Sequence, residues 1–473
     1  MLGDEKKVGT DELFHYFKVE ELIPTNHLLR RIDAVLDTSW VRQEVAEAYS
    51  KGGRPSWDPE VIVRMILLGY LYNLSEVRLV DELRMHMGFR WFCRLQPSDP
   101  IPDRTTLVKL RNQKWKMDLW VKLLDRTVQQ CVEAGLVSGR HVSIDGTKIK
   151  ANASLGSLEP IEPPTSLQEY LLTKAGWERF VPDERDDEPP PPDDDPTPRG
   201  GTNFKGKKLS NDTYRSTSDP DARLYRKNDG EGAGLAYIGN LCIDTKSRTV
   251  LDAEAGPGQT TTEWVVGANL LDEVARRLGR YPEIVTADKG YGVEPFYADV
   301  EKRGITPHIP SQHCFTEKPV PGSRLLRLKV IPLDRAKKML RHRRGTRGRN
   351  RALRLRFTRN FTISRLLRLR VEHKIGEAKE CHGLRRARFR GLPKVDMQLK
   401  LTAAVMNLKL LATFLRRTAR GMAARPVERS LQGSCPRRQK LFAALRRFVS
   451  TLAARHGHLF RVIPGDTAFS RGF

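Results

Sequence analysis

Two aspartates each close a short apolar run. Asp145 follows His141-Val142-Ser143-Ile144, and Asp288 follows Ile284-Val285-Thr286-Ala287. Runs of this length and composition predict buried strands. Strand ends open into the crevice where α/β domains place their sites. A carboxylate there is costly unless it is neutralised, and a divalent cation does that well. For Asp145, which precedes Gly146-Thr147, turn capping is the competing role. A third acid, Glu372, sits on a helix predicted over roughly 361–386, with Arg368 and Lys379. At −4, 0 and +7 on a 3.6-residue turn these three fall near one face, so the two cations can hold a phosphate beside the acid. Glu377 and Glu380 point about 140° and 80° away from Glu372. Three such acids suit a pair of magnesium ions about 3.5–4 Å apart, which stabilise the attacking and leaving oxygens of a phosphoryl transfer.

The elements that must position these acids form a mixed α/β region over 138–415. Strands are predicted at 141–145, 235–244, 249–254 and 283–288, and helices from Glu263 to Leu278 and from Met397 to Leu415. Residues 1–137 read as helical. Asp58 and Pro59 form a start signal ahead of Val61, Met65, Leu68 and Tyr72, which line one face. Ser75 caps a second helix that Gly88 is expected to end, and a third runs from Thr106 to about Ala134. A tight turn between two short helices is compatible with a helix-turn-helix or with an ordinary bundle.

Charge narrows the class. The 473 residues carry 83 Lys plus Arg against 57 Asp plus Glu, a net +26, which points to a polyanionic partner. No stretch approaches the roughly 18 uncharged apolar residues of a membrane span, and the first thirty residues lack a signal-peptide apolar run, so a cytoplasmic location is expected. Six scattered cysteines without a CxxC pair argue against a disulfide framework or a structural zinc site, although His313-Cys314 and Cys381-His382 are adjacent pairs. Within 155–201, the stretch 182–199 holds eight acids and seven prolines and predicts a disordered insertion. Residues 323–370 reverse the sign, with eighteen Lys or Arg and one acid, Asp334; the 323–360 part suits contacts to a phosphate backbone. Residues 416–473 form a further basic tail.

Five segments together resemble a known family: WDPEVIVRMILLGYLYNLSEVRLVDELRMHMGFRWFCRL with IPDRTTLVKLR, then VSIDGTKIKANAS, STSDPDARLYRK, VTADKGYG, and RLLRLRVEHKIGEAKECHGLRRARFRG. They are similar to bacterial insertion-sequence transposases of the DDE type, in the insertion-sequence-4/5-like superfamily and, within it, the insertion-sequence-1182-like group. The resemblance implies a ribonuclease-H-like core in which Asp145, Asp288 and Glu372 bind two Mg²⁺ ions, with Mn²⁺ able to substitute. The family signature places Tyr, Arg, Glu and Lys at set intervals; Arg368, Glu372 and Lys379 match, and Arg365 stands at the Tyr position.

The implied reaction is cleavage of double-stranded DNA at terminal inverted repeats and joining of the freed 3′-OH to target DNA, by a homodimer on paired ends in the bacterial nucleoid. Arg368 and Lys379 then position phosphate, and Lys289 and Tyr291 contact DNA or support Asp288. Arg78, Arg84, Arg104, Lys109 and Arg111 are the cations available for repeat recognition. Asp219 and Asp221 are expected to order a loop rather than to react. Two other functions share the same residues, a nuclease without strand transfer and an inactive DNA-binding derivative.

Overall fold

A computed structural model describes residues 18–49, 52, 56–111, 115–161, 210–226, 232–259, 262–311 and 333–423. Eight helices come first: α1 (Val19–Leu22), α2 (Leu28–Asp33), α3 (Val41–Glu44), α4 (Pro59–Leu71), α5 (Glu76–Met85), α6 (Met87–Phe92), α7 (Arg104–Lys109) and α8 (Asp118–Glu133). Asp58 accepts from Glu60 N at 3.0 Å and Pro59 occupies the first turn, so α4 begins where the sequence indicates. All of α4 except Glu60 is buried, which makes it the central helix of this part rather than an exposed one. Its one interior charge, Arg64, meets Asp33 at 2.7 Å, and Arg94 meets the same carboxylate at 2.9 Å.

Two predicted boundaries differ. Gly88 lies inside α6, because His86 ends α5, accepts from Phe89 N at 3.3 Å and stacks on the Phe89 ring at 4.0 Å. The single helix predicted from Thr106 to Ala134 is divided into α7 and α8. Trp115 and Trp120 both turn into the core with ring centroids 5.8 Å apart. Five residues apart on one helix, they would point about 140° away from each other, so the break lets both be buried.

Strands β1 (His141–Lys150), β2 (Leu158–Pro160), β3 (Tyr214–Ser216), β4 (Arg223–Tyr225), β5 (Gly234–Asp244), β6 (Val250–Pro257), β7 (Ile284–Thr286) and β8 (Thr306–His308) follow, interleaved with α9 (Thr262–Leu278) and α10 (Glu294–Lys302). The main sheet runs β4-β5-β1-β7-β8, with β6 also on β5. Pairings among β6, β5 and β1 are antiparallel, while β1-β7 and β7-β8 are parallel. The antiparallel pair β2-β3 shows that residues 158–160 of the segment expected to lack structure are ordered. The acidic stretch 182–199 lies outside the described residues, as do 323–332 and 424–473.

Helices α11 (Leu333–Leu355), α12 (Arg359–Cys381) and α13 (Leu392–Ala423) complete the chain. The arginine-rich α11 lies against α10, where His342 meets Glu294 at 2.5 Å and Arg347 and Arg351 each meet Glu301 at 3.5 Å. Part of its charge therefore serves packing. Helix α13 covers the outer edge of β6. Asn407 accepts from Val250 N at 2.9 Å and donates to Val250 O at 2.8 Å, Asp396 accepts from Ala255 N at 2.9 Å, and Lys400 donates to Ala253 O at 2.9 Å. These side chains satisfy backbone groups that a bare edge would leave open to other strands. The same helix packs on α2, α4 and α8, and the buried apolar residues from Leu29 to Ala412 form one contiguous core.

A polar line ties the parallel strands to α12. His141 on β1 bonds Thr286 on β7 at 2.7 Å, and His308 on β8 bonds Ser364 on α12 at 2.6 Å. Burial first, and then the neighbouring His308, push the His141 imidazole down to about 4, with Asp244 opposing. The native state thus refuses a proton that the unfolded chain accepts from pH 6.5 downward. The contribution of His141 to stability is complete above that pH and is lost as pH falls toward 4. The urea midpoint should fall between pH 6.5 and pH 4.5, and it should fall less in His141→Gln; equal slopes for both proteins would refute this.

Candidate active site

Parallel pairing brings the strands that lead into the first two acids side by side. The β1-β7 register ends at Ser143 opposite Thr286. Asp145 and Asp288 each lie two residues past that last pair, Asp288 just beyond the carboxyl end of β7. Asp145 does not end its strand as predicted. β1 runs on to Lys150 because its other side stays paired with β5, where Asp145 faces Leu241. Asp288 does leave its strand, and its carboxylate accepts from Gly290 N at 2.9 Å at the start of a short turn of 3₁₀ helix.

A further acid, which the pattern of strand-ending carboxylates did not single out, stands between them. Glu263 lies in the first turn of α9. One carboxylate oxygen lies 3.1 Å from the point where a Cβ at Gly146 would sit, and the other lies 3.3 Å from the equivalent point at Gly290. Asp288 Oδ1 is 3.1 Å from that second point, and Asn240 Oδ1 is 3.0 Å from the first. A methyl group at either glycine would press on these oxygens, so both glycines leave room for Glu263. In the sequence it looks like an ordinary first-turn acid favoured by the helix dipole, which is why it drew no notice. The telling signal is that Gly146 and Gly290 follow closely on the two aspartates.

Glu372 approaches from α12. Arg368, one turn earlier, meets Glu372 at 2.5 Å and Asp145 at 3.7 Å, so one guanidinium reaches acids from two distant parts of the chain. The other glutamates of this helix are committed elsewhere: Glu377 binds Lys374 at 2.7 Å and Lys409 at 2.8 Å, and Glu380 pairs with Arg385. Among the described residues, no three His, Cys, Asp or Glu side chains form a cluster ready to hold an ion. The donor set is nonetheless all carboxylate, the hard oxygen chemistry that Mg²⁺ and Mn²⁺ select. The positive charge now between Asp145 and Glu372 is supplied by Arg368.

The remaining predicted residues separate. Lys289 is exposed beside Asp288. Lys379 is half-buried and lines a cleft two turns further along α12. Tyr291 is fully buried and cannot touch DNA; its hydroxyl donates to Asn240 Oδ1 at 2.9 Å. Burial, followed by the charges of Glu263, Asp145 and Asp288, drives that phenol well above its usual range, which marks where the negative field converges. Tyr225 feels the same field: burial, then Glu263 and Asp288, push it up to about 12.

Asp219 accepts from Gly391 N at 3.0 Å and Asp221 from Leu392 N at 2.9 Å, so both anchor the start of α13, a structural role like the one expected of them. Of the N-terminal cations, Arg78, Arg104 and Lys109 are exposed and Arg84 pairs with Asp81 at 3.1 Å. Arg111 is buried against Glu76, so it is not the open DNA contact that the sequence suggested. His382 Nδ1 donates to Tyr70 O at 2.9 Å from inside the core and is no ligand paired with Cys381, while His313 and Cys314 lie outside the described residues.

Residues 17–113 match the family model described as a transposase domain (DUF772), and residues 216–408 match the one described as a transposase DDE domain. The second span includes Glu263, Asp288 and Glu372 and begins after Asp145. Together the two matches support a DDE transposase family for this chain. No solved structure matches it. No helix among the described residues is long and apolar enough to cross a membrane.

Removing the Tyr291 hydroxyl leaves a buried amide oxygen without its donor. Tyr291→Phe should cost about 1–3 kcal/mol of stability. Urea unfolding at neutral pH measures it, and an unchanged midpoint would show that the bond to Asn240 contributes nothing.

Proposed function

We propose that this chain is a DNA transposase of the DDE type that cuts DNA at the ends of an insertion sequence and joins the freed 3′-OH to target DNA. The observation that carries the reading is Arg368, which reaches both Asp145 on β1 and Glu372 on α12, with Asp288 just past the end of β7, the strand paired to β1. The strand order, three antiparallel and then two parallel, supports a ribonuclease-H-like core. The net charge of +26 and the two family matches support DNA as the substrate. The insertion-sequence-1182-like group is the narrower assignment that the quoted motifs favour.

Asp145, Asp288 and Glu372 would hold the divalent ions, with Glu263 close enough to Asp288 to supply a fourth carboxylate. Bound there, such ions lower the pKa of the attacking water or hydroxyl and neutralise the leaving oxygen. The protein's own groups do the rest. Arg368, drawn from Glu372 toward incoming phosphate, would bind a non-bridging oxygen and fix the scissile group in line. Lys289, exposed beside Asp288, would hold the next phosphate along the strand. Both cations act on charge that develops at the phosphoryl group. Asn240 and Tyr291 keep the floor rigid, so the acids do not spread apart under their own repulsion.

The test is a cleavage and joining assay in Mg²⁺ on duplexes carrying the element's ends. Glu372→Gln should lose cutting by at least a hundredfold while keeping DNA affinity within about twofold. Full activity in that variant would remove Glu372 from the site. Joining of a pre-cut 3′ end should be lost with it, and cutting without joining would instead favour the plain nuclease. Metal binding has its own readout: added Mg²⁺ should raise the thermal midpoint of the unaltered chain, and should do so less in Asp288→Asn.

A further inference from the structure

A cleft of about 840 Å³ opens where α4, α5 and α7 meet the turn between α12 and α13. Its walls are stiff. Arg111 lies over the Phe389 ring at 3.9 Å and pairs with Glu76, while Arg388 lies over Tyr70 at 4.5 Å and donates to Leu74 O at 3.0 Å and Asn73 Oδ1 at 2.9 Å. These contacts fasten the α4-α5 turn to the 388–389 segment. The exposed Arg104, Arg385 and Arg386, with the half-buried Lys379, stand around the opening. Two acids, Glu76 and Glu380, also line it, and each is already engaged, with Arg111 and Arg385 respectively. The surface therefore presents a net positive, concave face.

Its position relative to the acids is set by two elements. Lys379 lies seven residues after Glu372 on α12, on nearly the same face and about 10 Å along the axis. Residues 385–387 extend the end of β1, the strand that carries Asp145: Lys150 N donates to Arg385 O at 3.1 Å and Ala387 N to Lys150 O at 2.8 Å. The near edge of the cleft therefore stands within a few nucleotides of Glu372 along a DNA backbone.

We propose that this cleft binds the sugar-phosphate backbone of the DNA end, beginning a few nucleotides from the phosphodiester that is cut. This rests on the transposase reading and adds to it a defined path for the strand. The contacts are to phosphate, so they fix register without reading sequence. They also give the N-terminal helices a direct part in placing DNA over the acids, because Arg104 and the α4-α5 turn form one wall.

The test compares the full-length chain with Arg104→Ala/Arg385→Ala/Arg386→Ala, using fluorescence anisotropy of a 30-base-pair duplex of arbitrary sequence over a range of KCl. Each lost phosphate contact should flatten the plot of log affinity against log salt by about 0.9, so the triple variant should lose about 2 to 3 from the slope and at least tenfold in affinity at moderate salt. The matching Arg→Lys triple should restore most of the slope, which a folding defect caused by the alanines would not explain away. On a duplex carrying the element's end, ethylation of phosphates a few nucleotides from the cut should weaken binding of the unaltered chain and not that of the alanine triple. If the unaltered chain cuts DNA and the alanine triple binds with the same slope, the cleft is overturned and the transposase reading stands. If the unaltered chain binds no DNA, both are overturned.

Discussion

Like charges brought toward one end of a sheet repel, and the elements around Asp145, Asp288, Glu263 and Glu372 must hold them against that repulsion. Two carboxylates 4 Å apart oppose each other by about 4 kcal/mol at an effective dielectric of 20. Asp145, Asp288, Glu263 and Glu372 are nevertheless drawn to one end of the sheet. What holds them is stiffness: the parallel β1-β7 register, the antiparallel β1-β5 ladder that carries β1 past its neighbour, and Arg368 between two of the acids.

That stiffness is borrowed from outside the sheet. Helix α13 satisfies the open edge of β6 and packs its other side on α2, α4 and α8, so the helices before residue 134 share a core with the strands. The loop holding Asp219 and Asp221 pins the first turn of α13, and the His141–Thr286 and His308–Ser364 bonds hold β1 to β7 and β8 to α12. A long helix therefore connects the sheet to the helical part.

The sequence made some of this readable and hid the rest for identifiable reasons. Periodicity and capping located α4 and α9 closely, because Asp58-Pro59 and the apolar spacing are local signals. The strands flanking Asp145 and Asp288 were visible for the same reason. The division between α7 and α8 was not, because it depends on where two tryptophans find their pocket. Tyr291 looked like a contact beside an acid, yet its ring is core; proximity in sequence says nothing about which way a turn points its side chain.

Taken alone, the chain's composition established a basic, globular protein directed toward a polyanion, and its residue spacing marked Asp145, Asp288 and Glu372 as acids worth watching. Tertiary structure alone decided that Arg368 reaches two of them, that Glu263 enters beside Asp288, and that Arg111 is a buried fastener rather than an open cation. The physical reason is the range of the forces involved. Hydrogen-bonding and hydrophobic preferences act between near neighbours and leave a trace in local pattern, whereas the meeting of charges hundreds of residues apart is fixed only when strands pair and helices settle on them.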